Sequence, residues 1–205
     1  PRYRIEETKN LVSILGNEVV EEFPWANGMK PSTDNNVEGV LRRTWKPALS
    51  IVGSDGMPST ANAGNVLRPY TTLQLSMRIP PMVDPKKAVD AIEKILKNDI
   101  PYGASVELKF EEAAEGWNAP ESKTWLLDAI EKASKKYFNQ MPCTIGEGGT
   151  IPFMAMLGKQ FPEAQFVITG VLGPQSNAHG PNEFLHIPFA KNLTCCISSI
   201  ITDFQ

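Results

Sequence analysis

A chain of 205 residues, 41% hydrophobic and 21% charged, is long enough for one sizeable core or two small domains. Its net charge of -3 and pI near 5.5 leave no electrostatic footprint for nucleic acid, and no apolar stretch approaches the roughly 20 residues of a membrane span. The chain opens without a signal-peptide pattern, and its three cysteines, two adjacent at Cys195 and Cys196, make no disulfide framework, so reduced thiols in a cytoplasmic protein are expected.

Leu11, Ile14, Leu15, Val19 and Phe23 recur at helical spacing, with Glu6, Glu18, Glu21 and Glu22 on other faces. One helix is expected there, stopped by Pro24. Residues 26–40 carry Asn-Gly, Pro-Ser and Asp-Asn-Asn and read as a connection or mobile loop. Residues 48–52 alternate, with Leu49 and Ile51 on one face, and a long loop of small residues follows. The clearest strand comes next, where Leu73, Leu75, Met77 and Ile79 alternate with Thr72, Gln74, Ser76 and Arg78. One face should be buried and the other polar. Arg78 then projects from the polar face of a rigid support, able to grip a carboxylate with both arms of its guanidinium; an ordinary solvated arginine is the bland alternative.

Asp84 and Pro85 make an N-cap and first-turn pair for a helix whose buried stripe is Ala88, Val89, Ile92, Ile95 and Leu96. Val106, Leu108 and Phe110 alternate in a further expected strand. Strand, strand, helix, strand suits a small α+β sandwich with helices on one sheet face. Composition shifts over residues 111–120, an Ala/Glu/Gly/Pro stretch that reads as the passage to a second unit. Trp125, Leu126, Ala129, Ile130, Ala133 and Tyr137 define a helix with Lys135 and Lys136 at its C-terminal end. A short strand near Cys143, a helix ending before Pro162, an apolar strand at 165–170 and a last helix through Leu193, Ile197, Ile200, Ile201 and Phe204 complete half of an α/β layer. The cysteine pair falls in that last helix, where a buried apolar role is expected.

Residues 144–189 hold both histidines and the densest set of reactive groups. Gly146, Glu147, Gly148, Gly149 and Thr150 form a glycine turn that opens a helix, with Thr150 as N-cap and Pro152 in the first turn. Backbone N–H groups at such a point can seat an anion. His179 follows the 165–170 strand on a Gly/Pro/Asn-rich loop, and active sites of α/β sheets gather at such strand ends. A lone histidine is ordinarily a hydrogen-bonded loop residue, because zinc needs three or four ligands.

EGGTIP at 147–152 and SNAHGPNE at 176–183, after NVLRP at 65–69 and MRIPP at 77–81, resemble the C-terminal half of the zinc-dependent dipeptidase and carboxypeptidase family that includes carnosinase and succinyl-diaminopimelate desuccinylase. The resemblance runs from about residue 45 to the end. It implies a ferredoxin-like lid, an antiparallel sheet with helices on one face, plus a partial α/β layer from a catalytic domain. The implied divisions are an N-terminal helix and loop at 1–40, a lid or dimerisation domain at 41–115, and a catalytic portion at 116–205.

By the same resemblance His179 matches the family's last metal ligand, and Arg78 the arginine that holds the substrate's terminal carboxylate. Asn65 matches a lid residue that hydrogen-bonds substrate; a plain turn asparagine with positive φ is the alternative. Gly149 and Thr150 match a glycine and hydroxyl pair that contacts the substrate. Glu147 reads as orienting a neighbour, and Glu183 as a structural carboxylate behind the site. The implied substrate is a small peptide or N-acyl amino acid, the implied cofactor zinc, manganese or cobalt, and the implied assembly a homodimer through the lid, with no nucleic-acid or membrane partner.

The chain departs from the family in lacking its upstream histidine and aspartate, its Glu-Glu pair and its further aspartate ligand. His186 is the only other imidazole, so two zinc sites cannot come from this chain and no catalytic residue is assigned in it. The expectation is a portion of a metal-dependent hydrolase, inactive alone; a non-catalytic dimerisation or small-carboxylate-binding module is the alternative.

Overall fold

The computed structural model describes every residue except Glu112, Gly149, Thr150, Pro174 and Gln205. The architecture is α+β, with helices α1 (Arg2–Leu15), α2 (Glu18–Glu21), α3 (Asn36–Thr44), α4 (Pro85–Lys97), α5 (Thr124–Phe138), α6 (Pro152–Gln160) and α7 (Ile187–Thr202), and strands β1 (Ala48–Asp55) and β2 (Thr72–Arg78). The chain divides into two units. The first holds Pro1–Leu41, Asn118–Glu147 and Phe153–Gln205; the second holds Arg42–Trp117 and Gly148–Pro152.

The main core of the first unit lies between α5 and α7. Leu126, Ala129 and Ala133, spaced three and four apart, meet Cys196 and Ile200 across the helix pair, and all five are buried. The alanines let the backbones come close, and the Cys196 thiol donates to the Ala133 carbonyl at 3.4 Å. Trp125 against Phe204 (5.0 Å) and Phe138 against Phe189 (5.1 Å) close the two ends. A second cluster of Leu11, Val19 and Val40 joins α1, α2 and α3. Arg4 ties α1 to the point where the chain re-enters this unit: Nε donates to Asn118 Oδ1 at 3.1 Å and Nη2 to the Ala119 carbonyl at 2.6 Å.

In the second unit β1 and β2 pair antiparallel, Ala48 opposite Arg78 and Asp55 opposite Thr72, with a bulge between Ile51 and Gly53. Leu49 faces Met77 and Ile51 faces Leu75, so the alternating apolar residues meet as cross-strand pairs. Asp84 caps α4 as expected, its Oδ1 accepting from the N–H groups of Lys86 (2.8 Å) and Lys87 (3.2 Å).

Several expectations are corrected. The single helix through Phe23 is two, because Gly16 takes φ +59° and ends α1 with its N–H on the Val12 carbonyl. The expected loop at 26–40 contains the start of α3: Asn35 Oδ1 accepts the Glu38 N–H at 3.0 Å, so the Asp-Asn-Asn run supplies a cap as well as a turn. Glu38 in the first turn and Arg42 and Arg43 in the last suit the helix dipole.

The expected strands at 106–110, near Cys143 and at 165–170 form no ladder; among the described residues the one sheet is β1–β2. Alternating or β-branched residues become a strand only where a neighbour supplies the ladder bonds, and none of the described residues does so. The β2 face expected to be buried stays about half exposed at Leu73, Leu75 and Met77, and the stripe of α4 includes Ile95 at 71% exposure.

The total exposed surface is 15905 Å². A compact monomer of this mass exposes about 9,500 Å², and two wholly separate compact halves about 11,500 Å². Large apolar side chains lie outside both cores, Leu67 at 99%, Val66 at 77% and Ile201 at 68% exposure among them.

Candidate functional site

In the second unit, Arg78 ends β2, and its exposed guanidinium lies against the glycine block. A Cβ added at Gly148 would stand 3.1 Å from Arg78 Nη1 and 2.4 Å from the Arg43 carbonyl oxygen. That carbonyl belongs to the last turn of α3. Only a glycine fits between them. The close approach links residues 70 positions apart, and it gives the glycine block a steric role that the N-cap reading did not contain.

Asn65 lies in the exposed loop before β2 and does not take positive φ, which removes the plain positive-φ turn reading; the local closure is Val66 N–H to Gly64 C=O at 2.9 Å. Gly149 and Thr150 lie outside the described residues. Pro152 occupies the first position of α6, as expected, and Glu147 is exposed.

His179 belongs to the first unit. It is exposed, takes φ +61°, and donates its backbone N–H to Glu183 Oε2 at 3.1 Å. Its loop is closed at the base, where Phe184 N–H bonds the carbonyl of buried Ser176 at 3.2 Å and Ser176 Oγ donates to the Gly173 carbonyl at 2.7 Å. Among the described residues no group of three or more His, Cys, Asp and Glu gathers to hold a metal ion. His179 is a single donor where zinc needs three or four, so the described residues do not complete the metal site the resemblance implies.

His186, the other imidazole, caps α7: its Nδ1 accepts the Phe189 N–H at 3.1 Å. Sequence reasoning missed this role, although Pro188 in the first turn was a legible start signal. Burial, followed by the charge of Cys195, pushes the Cys196 thiol above its ordinary value, and burial does the same for Cys143. Neither is poised as a thiolate nucleophile. A concavity of about 410 Å³ between α5 and α7 is lined by Trp125, Asp128, Lys132 and Asp203, the last two joined at 2.9 Å, and contains none of the candidate residues. No helix among the described residues is long and apolar enough to cross a membrane.

The sequence and the fold have counterparts. A cysteinylglycine-S-conjugate dipeptidase of Corynebacterium striatum is 28% identical over 156 residues, 71% of this chain and 33% of that protein. The metallo-carboxypeptidase Sso-CP2 of Sulfolobus solfataricus superposes with a TM-score of 0.75 at 18% identity, over 98% of this chain and 44% of that one. Human carnosine dipeptidase 1 gives a TM-score of 0.68 at 17% identity, over 99% and 42%. The dipeptidase Dug1p of Saccharomyces cerevisiae gives 0.61 at 21%, over 83% and 36%. The chain thus spans a third of the curated relative's length and less than half of each solved chain. The model of peptidase family M20/M25/M40 matches residues 9–203, nearly the whole sequence, and the chain belongs to that family.

Proposed function

We propose that the chain is a portion of a metal-dependent dipeptidase or related amidohydrolase, and that it supplies the grip on the substrate's free carboxylate. In this reading residues 41–115 are the lid or dimerisation domain and 116–205 the C-terminal portion of the catalytic domain, in a cytoplasmic homodimer paired through the lid. The observation that carries the reading is the Arg78 guanidinium held beside Gly148, in a chain whose family match is nearly full length.

A guanidinium on a strand end meets a carboxylate through two parallel hydrogen bonds, and strand support fixes its direction. Asn65 adds a hydrogen bond to the substrate, and Gly149 and Thr150 contact its backbone. His179 is one ligand of a zinc, manganese or cobalt centre. The remaining ligands and the general base lie outside this chain, so its residues bind and orient but do not cleave. The same Arg78 arrangement would also serve a second reading, a dimerisation or small-carboxylate-binding module without hydrolysis.

Calorimetric titration with a neutral dipeptide and with its C-terminal amide tests the grip. The amide is expected to bind at least about tenfold more weakly, the size of one charge-assisted pair. Arg78→Ala should reduce the acid to the amide's level, while Arg78→Lys keeps the charge without the two-armed geometry and should fall between. Equal binding of acid and amide, or an Arg78→Ala variant that binds like the parent, would remove the proposed role.

A further inference from the structure

Four of the eight residues 175–182 are non-glycine residues with positive φ: Gln175 (+64°), Asn177 (+55°), His179 (+61°) and Asn182 (+60°). Asparagine tolerates this region because its short amide bonds nearby backbone, and Asn177 does so, donating to the Pro181 carbonyl while its own carbonyl accepts the Gly180 N–H at 2.9 Å. Histidine enters this region more readily than most side chains but at greater steric cost than glycine, so a hydrogen bond to its backbone selects that conformation over its alternatives. Glu183 holds its backbone, its Oε2 accepting the His179 N–H at 3.1 Å across four residues.

We propose that Glu183 is a positioning residue for His179, fixing its left-handed backbone and with it the direction in which the imidazole leaves the loop. The inference rests on the functional reading of His179 for its purpose, but not for its geometry. Reversing the sign of φ at His179 swings the Cα–Cβ bond to another side of the chain, so losing the Glu183 acceptor redirects the ring without touching it. The rest of the loop supplies the platform: Ser176 is buried at the base, and a Cβ at Gly180 would stand 2.6 Å from the Asn177 amide, so the turn has no room to relax on that side. Glu183 reaches back from the far limb. Aspartate is one methylene shorter, whereas glutamine keeps both the length and an acceptor oxygen.

The test is heteronuclear NMR on the full chain with Glu183→Ala and Glu183→Gln, reading the His179 HN–Hα coupling, its amide exchange and the relaxation of its ring carbons. Signals of Leu126 and Ala133 report whether the core is intact. Glu183→Ala should lose about tenfold of the His179 amide protection, shift the coupling away from its left-handed value and increase ring motion. Glu183→Gln should restore all three, a rescue that a generally loosened loop would not give. Unchanged His179 coupling and protection in Glu183→Ala would overturn the proposal, as would a Glu183→Gln variant as disordered at His179 as the alanine variant while the core signals stay in place. The functional reading is tested separately, by the acid and amide titration with Arg78→Ala, so its failure would leave the coupling and exchange data to decide the Glu183 hold on their own.

Discussion

Truncating Leu126 to alanine will destabilise the first unit by about 3 kcal/mol, within the usual range for a large-to-small change in a closed core. Leu126 is 1% exposed and, with Ile200, is one of the two large side chains in the cluster they form with Ala129, Ala133 and Cys196. Two of those neighbours are alanines and a third is a cysteine, too short to reach into the space, and Ile130, Tyr137, Phe138 and Ile197 around the cluster close it only in part. The lost transfer energy and an unfilled cavity therefore act together. With so few buried side chains, the same loss removes a larger share of stability than it would in a thick core, where single domains hold only about 5–15 kcal/mol. Urea unfolding followed by tryptophan fluorescence checks it, because Trp125 packs on Phe204 at the end of the same helix pair. Leu127→Ala is the control, since Leu127 is 53% exposed and should cost less than about 0.5 kcal/mol. Equal midpoints for the two variants would mean that α5 and α7 do not form the organising core.

Gly148→Ala will abolish the carboxylate grip assigned to Arg78 and destabilise the second unit. A methyl group cannot sit 2.4 Å from the Arg43 carbonyl oxygen, so the glycine block or the end of α3 must move by several tenths of an ångström or more. Arg78 Nη1, 3.1 Å from the same point, is the far end of a flexible side chain and yields first. We expect a stability loss of about 1–3 kcal/mol, typical of overpacking against backbone. Dipeptide affinity should fall to that of Arg78→Ala. The double variant should bind no worse than either single one, because both act on one guanidinium. Additive losses would show that Gly148 acts elsewhere, and an unaffected Gly148→Ala variant would mean that the close approach does not bear on binding.

What the sequence disclosed follows the range of each signal. Asp84 followed by Pro85 specifies the start of α4 within three residues, and its cap forms as read. The α5 stripe was legible because helical periodicity is local and repeated, whereas of the cysteine pair expected to be buried in α7 only Cys196 is, adjacent helix positions facing different ways so that Cys195 is exposed. The α3 cap was hidden inside an Asp-Asn-Asn run that also spells a turn, and Gly16 broke a stripe whose apolar spacing carried on past it. Strands at 106–110 and 165–170 were over-read, since β-branched alternation shows readiness to pair but says nothing of a partner.

The site shows the same division. Arg78, Asn65 and His179 were nominated through motif resemblance. The steric bond between Gly148, Arg43 and Arg78 spans distant stretches that no local pattern connects. The Glu183 hold was within reach, because glutamate four residues after a loop histidine is a short-range relation, but it became specific only once His179 was seen at positive φ.

A zinc titration by calorimetry on the purified chain, with His179→Ala beside it and a dipeptide hydrolysis assay on the same samples, bears most directly on whether this chain is a binding portion of a larger metallopeptidase. One imidazole with no gathered partner among the described residues predicts weak, sub-stoichiometric binding and no turnover in either sample. Tight one-to-one binding that His179→Ala abolishes, accompanied by turnover, would contradict the account, because the chain would then complete a working metal centre from its own residues.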